Sequence, residues 1–280
     1  MMESFFQVDA FADKPFTGNT AGVIITESEW SPEIMQTIAT QNNLPATAFM
    51  QFNNPFIKLR WFTVKKELVL CGHATLASAH VLFSTGLIQA GNKIHFTTGN
   101  ADLYAWYENG WITMDFPAYP CEATEVPLEL KSIFAEKFRS GYFTQDKFLI
   151  ELENENAVRN FVPDLNVLAN YKCIITARAN TGSRYDFVSR FFNLPDGIQE
   201  DAVTGSAHCS LATFWSDRLG KNQLHAYQAS SRGGELKIML DQQRVLISGQ
   251  ALTIIEGRYL PFIQKEPQKN QIFSSLRIDS

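Results

Sequence analysis

Cys71-Gly72-His73-Ala74-Thr75-Leu76-Ala77 and Thr204-Gly205-Ser206-Ala207-His208-Cys209-Ser210-Leu211-Ala212 are two renderings of one pattern, nearly half of the 280-residue chain apart. In each, a glycine followed by a small or polar residue opens a long apolar, alanine-containing run. Each follows a similar strand-like segment, Leu59-Arg60-Trp61-Phe62-Thr63 before the first and Ser189-Arg190-Phe191-Phe192-Asn193 before the second. A duplicated unit of that size predicts two similar domains facing each other. The unit reads as strand, turn and helix N-terminus, and the free N–H groups of a helix start can hold an anion. The competing reading is one irregular domain in which the echo is accidental.

The chain is long enough for two domains, each with a core. Its 45% hydrophobic and 19% charged residues are those of a folded chain rather than a disordered one. Twenty-two phenylalanines favour strand-rich layers packed on buried helices. A net charge of −5, with Lys65-Lys66 as the densest basic pair, gives no electrostatic footprint for nucleic acid or an anionic membrane. The N-terminus, Met1-Met2-Glu3-Ser4-Phe5-Phe6, is acidic where a signal peptide would be basic. No stretch reaches the roughly 18 consecutive apolar residues that a spanning helix needs. Cys71, Cys121, Cys173 and Cys209 form no CxxC pair, which predicts reduced thiols and a cytoplasmic location.

Outward from the two motifs, alternation predicts strands at residues 5–11, 21–25, 47–51, 57–62, 94–96, 101–106 and 111–116. Ser31-Pro32-Glu33 supplies an N-cap, a first-turn proline and a first-turn acid for a helix reaching about Gln41. The run after Cys71 is apolar on nearly every side, the mark of a buried helix. Pro117, Pro120 and Pro127 punctuate the expected junction, dividing the chain into halves 1–117 and 118–280, with the C-terminal tail packing back on the first. In the second half a helix is expected over 128–138, strands at 147–152, 173–177, 190–192, 236–240 and 245–253, and a second buried helix through 210–215. The polar tail 265–280 reads as peripheral. The whole is an α+β chain of two half-barrels, each wrapped on its own helix.

GxGxxG, GxxxxGK[ST], GxSxG and HExxH are all absent, which points to chemistry done by side chains and backbone. His73, at a helix start, sits at the positive end of the dipole; this lowers an imidazole's pKa and suits a neutral donor or base, or else the ring merely caps or packs. His80 lies about 10 Å further along the helix, too far to share a metal. Cys71, His73, His208 and Cys209 fit no usual zinc spacing, and no metal site is expected. Glu200-Asp201, just before the second glycine turn, reads either as a general acid or base in a cleft or as solvated loop carboxylates. Ser206 matches His73 in the repeat and can cap its helix or donate to a substrate carboxylate. Cys71 is either a thiol base or a small buried hydrophobe. Its counterpart is Thr204, so a matched pair of thiol bases is not available.

Gln7-Val8-Asp9-Ala10-Phe11, Pro15-Phe16-Thr17-Gly18-Asn19, Arg60-Trp61-Phe62-Thr63, Cys71-Gly72-His73-Ala74-Thr75 and the segment from Glu200 to His208 together resemble the PhzF-like phenazine biosynthesis family. The resemblance runs from about residue 5 to 260. It implies a fold similar to diaminopimelate epimerase, in which two pseudo-symmetric α/β halves each wrap a barrel-like sheet around a central helix, with the active site between them. It also implies a cofactor-independent isomerase acting on a small carboxylate, and a homodimer. His73, Asp201 and Ser206 would be the catalytic residues. Asn19, Gly72 and Gly205 would bind substrate, with Cys71 behind them as a further proton carrier.

One position departs from the family pattern. The family's catalytic Glu falls in a segment resembling Asn-Leu-x-Glu-Thr-Ala-Phe, which here reads Asn43-Leu44-Pro45-Ala46-Thr47-Ala48-Phe49. A methyl group transfers no proton. Two expectations follow: an isomerase whose proton is carried by Asp201 or His73, or a small-carboxylate-binding protein that has kept the cradle and lost the base.

Overall fold

Alternating side-chain burial along the strands builds sheets with one face inward, and the two apolar runs supply the helices that those faces cover. A computed structural model describes residues 3–26, 28–53, 55–99 and 101–259. Within them, 18 strands form one hydrogen-bonded network.

The order of strand senses repeats. In the first half Glu3–Ala10 runs antiparallel to Asn19–Thr26, which is parallel to Ala46–Asn53; then come antiparallel Phe56–Phe62, parallel Lys93–Thr97, and antiparallel Asp102–Glu108 and Trp111–Pro117. The second half follows the same series through Phe138–Thr144, Lys147–Leu152, Lys172–Arg178, Phe187–Asn193, Gln223–Gln228, Gly234–Asp241 and Arg244–Gly249. The halves are cross-stitched: Arg244–Gly249 pairs with Trp111–Pro117, and Ala251–Tyr259 pairs with Glu3–Ala10.

The two central helices, Gly72–Ser84 and Gly205–Leu219, occupy equivalent places between the fourth and fifth strands of each series. Both are buried along most of their length. Polar residues survive in the first because their hydroxyls bond back one turn: Thr75 Oγ1 donates to the Cys71 carbonyl at 2.6 Å and Ser78 Oγ to that of Ala74 at 2.7 Å. One inner core joins residues of both helices, including Leu76, Leu82, Leu211 and Trp215. Each half adds an outer core: Ile24, Met35, Ile38 and Phe49 under the helix Pro32–Asn42, and Leu130, Ile150, Val158 and Phe192 in the second half.

Three expected elements differ. The helix expected over 128–138 stops at Ser132, because Ala135 turns to φ 48° and Phe138 opens a strand. The single strand expected over 245–253 is two, broken at Gln250, where the chain changes partners from Trp111–Pro117 to Glu3–Ala10. The first strand ends at Ala10, since Phe11 adopts φ 60° and turns its buried ring into the core. The Pro32–Asn42 helix follows its cap signals, with Ser31 Oγ accepting from the Ile34 N–H at 3.4 Å and Asn43 closing it at φ 50°. The tail 265–280 lies outside the described residues. Among the described residues no helix is long and apolar enough to cross a membrane.

Candidate active site

The two central helices meet end to end. A Cβ on Gly72 would lie 3.1 Å from the Gly205 Cα, and one on Gly205 would lie 3.2 Å from the Gly72 Cα, so only glycine lets the backbones come this close. Neither N-cap, Cys71 or Thr204, caps its helix with a side chain. The first intrahelical bonds are made by the Thr75 N–H to Cys71 O and the His208 N–H to Thr204 O. The amides of residues 72–74 and 205–207 are therefore the orphan donors of two facing helices. They lie at a cleft of about 720 Å³ whose lining includes Asn19, Cys71, His73, Asp201, Thr204 and Ser206. All seven residues singled out in the sequence thus stand at one place.

Their environments differ. Asp201 ends the strand Ile198–Asp201. Its Oδ1 accepts from Asn19 Nδ2 at 2.7 Å and its Oδ2 from Thr204 Oγ1 at 2.6 Å. Burial pushes its pKa up to about 6 against these stabilising bonds. Such a carboxyl can hold or release a proton near neutral pH. His73 is 8% exposed, and burial lowers its pKa to about 4, so the ring is neutral at physiological pH. The sequence assigned that lowering to the helix dipole; loss of solvent is the cause here. Burial also raises the Cys71 thiol to about 12, with its Sγ 3.6 Å from His73 Nδ1. At neutral pH it is a thiol, a poor base. Ser206 Oγ lines the cleft and makes no hydrogen bond within the described residues.

Two acids near the glycine motifs, Glu200 and Glu67, are already engaged. Glu200 takes a bidentate pair from Arg190 at 2.7 and 3.0 Å. Glu67 takes the equivalent pair from Arg60 at 2.7 and 2.8 Å. Ala46 is fully buried at the start of Ala46–Asn53, beside Ala21 of the neighbouring strand, while the preceding Asn43, Leu44 and Pro45 line the cleft. His208 is buried, its Nδ1 2.8 Å from Thr204 O and its Nε2 3.4 Å from Ser189 Oγ.

The residues that hold the Asp201 turn escaped sequence reasoning. Gln228 is fully buried, accepts from the Thr204 N–H at 2.8 Å and donates to the Asp201 carbonyl at 2.7 Å. The signal was a glutamine on the inward phase of Gln223–Gln228, after Leu224 and Ala226. On the other wall, buried Asp9 accepts from Thr20 Oγ1, the Phe16 N–H and Arg232, which also clamps the carbonyls of Thr17 and Gly18. That network fixes Asn19 against Asp201. Asn19 Oδ1 is itself a buried acceptor without a partner among the described residues.

The sequence model of the phenazine biosynthesis-like protein family matches residues 8–257. An uncharacterized isomerase of Pseudomonas aeruginosa is 43% identical over 262 residues, covering 92% of this chain and 98% of its own. A phenazine biosynthesis-like domain-containing protein of Bos taurus is 36% identical, covering 90% and 97%. Among solved structures, a PhzF-family phenazine biosynthesis protein of Enterococcus faecalis superimposes with a TM-score of 0.87 at 36% identity, covering 93% of this chain and all of that one. A probable proline racemase of Agrobacterium radiobacter, 9% identical with a TM-score of 0.66, has the same fold. The chain belongs to the phenazine biosynthesis-like family of isomerase-fold proteins.

Proposed function

We propose that this chain is a cofactor-independent isomerase that moves a proton within a small carboxylate, with Asp201 as the proton carrier. The observation that carries the reading is the Asp201 carboxyl, fixed by Asn19 and Thr204 beside two facing helix ends and titrating near neutrality. The substrate carboxylate lies on the amides of 72–74 and 205–207, where helix N-termini favour negative charge. Asn19 Oδ1, a buried acceptor, suits an O–H or N–H group on the same molecule. The Asp201 carboxylate takes a proton from carbon. The electron pair of that C–H bond moves into the conjugated system that ends at the carboxylate. The Asp201 carboxylic acid, which exchanges its proton with solvent at the cleft, then delivers a proton to another carbon of that system, and charge and atoms balance. Neutral His73 and the Ser206 hydroxyl donate hydrogen bonds to the charge that develops.

A single carrier on one wall favours a double-bond shift over inversion of a centre, because inversion needs acids on opposite faces and Thr204 stands where a second thiol would. The alternative, a carboxylate-binding protein without turnover, is favoured by one observation, Ala46 at the position where the family pattern has Glu. Incubation with a panel of unsaturated and hydroxylated carboxylates in deuterated water separates the two. The isomerase reading expects solvent deuterium in at least one compound, falling about 10²–10⁴-fold in Asp201→Asn. Deuterium entering only with Ala46→Glu would establish the binding reading.

A further inference from the structure

One wall of the cleft is basic, and the proton chemistry leaves it unused. Lys147, Lys172 and Lys66 alternate with Asp146 and Asp196 in a chain of ion pairs. Lys147–Asp146 is 2.6 Å, Lys172–Asp146 2.7 Å, Lys172–Asp196 2.8 Å and Lys66–Asp196 2.8 Å. The chain begins on strands of the second half and crosses to the loop at 63–66 of the first. Each aspartate is shared by two lysines, so positive charge is in excess.

Lys65 adds a further ammonium with no ion pair or hydrogen bond among the described residues. Its Nζ is laid against Gly197, where a Cβ would come within 2.3 Å of it; Gly197 itself turns at φ 85° after Leu194–Asp196. The glycine thus leaves the space that the ammonium fills. Arg232, also in the cleft, is by contrast engaged by Asp9 and two carbonyls. Lys65, Lys66 and Lys172 line the same cleft as the two helix ends. A cation held across a cleft without a counter-ion is matched by an anionic group on the ligand.

We infer that Lys65 forms a second anion subsite, so that this cleft takes a small molecule with two acidic groups. One group lies between the helix ends and the other on Lys65. The inference rests on the reading of the helix ends as a carboxylate cradle. Lys65 sets specificity and takes no part in proton transfer.

Calorimetric titration of matched acids tests it, with benzoate against isophthalate and hexanoate against adipate, in wild type, Lys65→Met and Lys65→Arg. The diacid of at least one pair should bind wild type about tenfold tighter than its monoacid. Lys65→Met should bring the diacid to within about twofold of the monoacid and leave the monoacid unchanged, while Lys65→Arg keeps most of the preference. The preference should also shrink as salt is raised, as for a solvent-accessible pair. Equal binding of both members of each pair by wild type, or a preference that survives Lys65→Met, overturns the subsite. Amide shifts read the cradle separately. If monoacids bind and move the resonances of 72–74 and 205–207 without a diacid preference, Lys65 alone is refuted. If no acid binds, or those resonances stay still, the cradle and the subsite fall together.

Discussion

Before the first central helix, Arg60 stands over the Phe62 ring and grips Glu67 with two hydrogen bonds; before the second, Arg190 stands over Phe192 and grips Glu200 in the same way. The scaffolding is thus matched pair for pair, down to the glycines that touch. The chemistry placed on it is not matched. The first helix end carries a buried thiol and a neutral imidazole; the second carries a hydroxyl and a carboxyl that titrates near pH 6. Duplication accounts for the frame, and divergence within it has left a carboxyl with a pKa near 6 on one side only.

The largest expected effect separates the two arginines. Arg190 is buried, and besides Glu200 it donates to the carbonyls of Val158 and Phe161 at 3.3 and 2.6 Å. Arg190→Met should cost about 3–4 kcal/mol in denaturant unfolding, since it strands a carboxylate and two carbonyls. Arg60→Met, whose partner Glu67 has a side chain 41% exposed, should cost no more than about 1 kcal/mol. Equal costs would mean that the frame is less asymmetric than its burial indicates.

Gly205→Val comes next. Its Cβ meets backbone rather than a flexible side chain. We expect a loss of about 1–3 kcal/mol in thermal unfolding from forced separation of the helix ends, with Gly72→Val giving a similar loss and the double variant less than the sum. Full additivity would show that the two ends do not touch in solution.

Asp201→Asn gives the smallest effect and the most telling sign. The folded-state pKa is raised, so ionising Asp201 costs stability. That cost is absent below about pH 4, grows between 4 and 6, and is complete above 6. Asn avoids it. The variant's stability relative to wild type should therefore be about 2 kcal/mol higher at pH 8 than at pH 4. A difference that stays flat with pH would place Asp201 among ordinary surface carboxylates.

Much of this was legible in the sequence because it is local. The glycine motifs, the all-round apolar runs and the Ser31-Pro32 cap each declare an element from within a few residues. The duplication then placed the helix ends face to face. Two partners of Asp201 could not be read that way, since Asn19 lies 182 positions away along the chain and Gln228 27. The family resemblance named Asp201 rather than Glu200, but that Arg190, on a neighbouring strand, holds Glu200 could not be read from the local sequence. The helix expected through Phe138 was misread because nothing in the composition of residues 128–138 signals the left-handed turn at Ala135.

Isomerase chemistry in this cleft requires a proton carrier in the second half poised near neutrality. A pH titration of side-chain carboxyl ¹³C resonances in protein labelled at aspartate, with the Asp201 signal assigned by its loss in Asp201→Asn, tests it most directly. A midpoint of about 6 is expected for Asp201 in the unliganded protein; a midpoint near 4, the usual value for an aspartate, would refute the proton carrier.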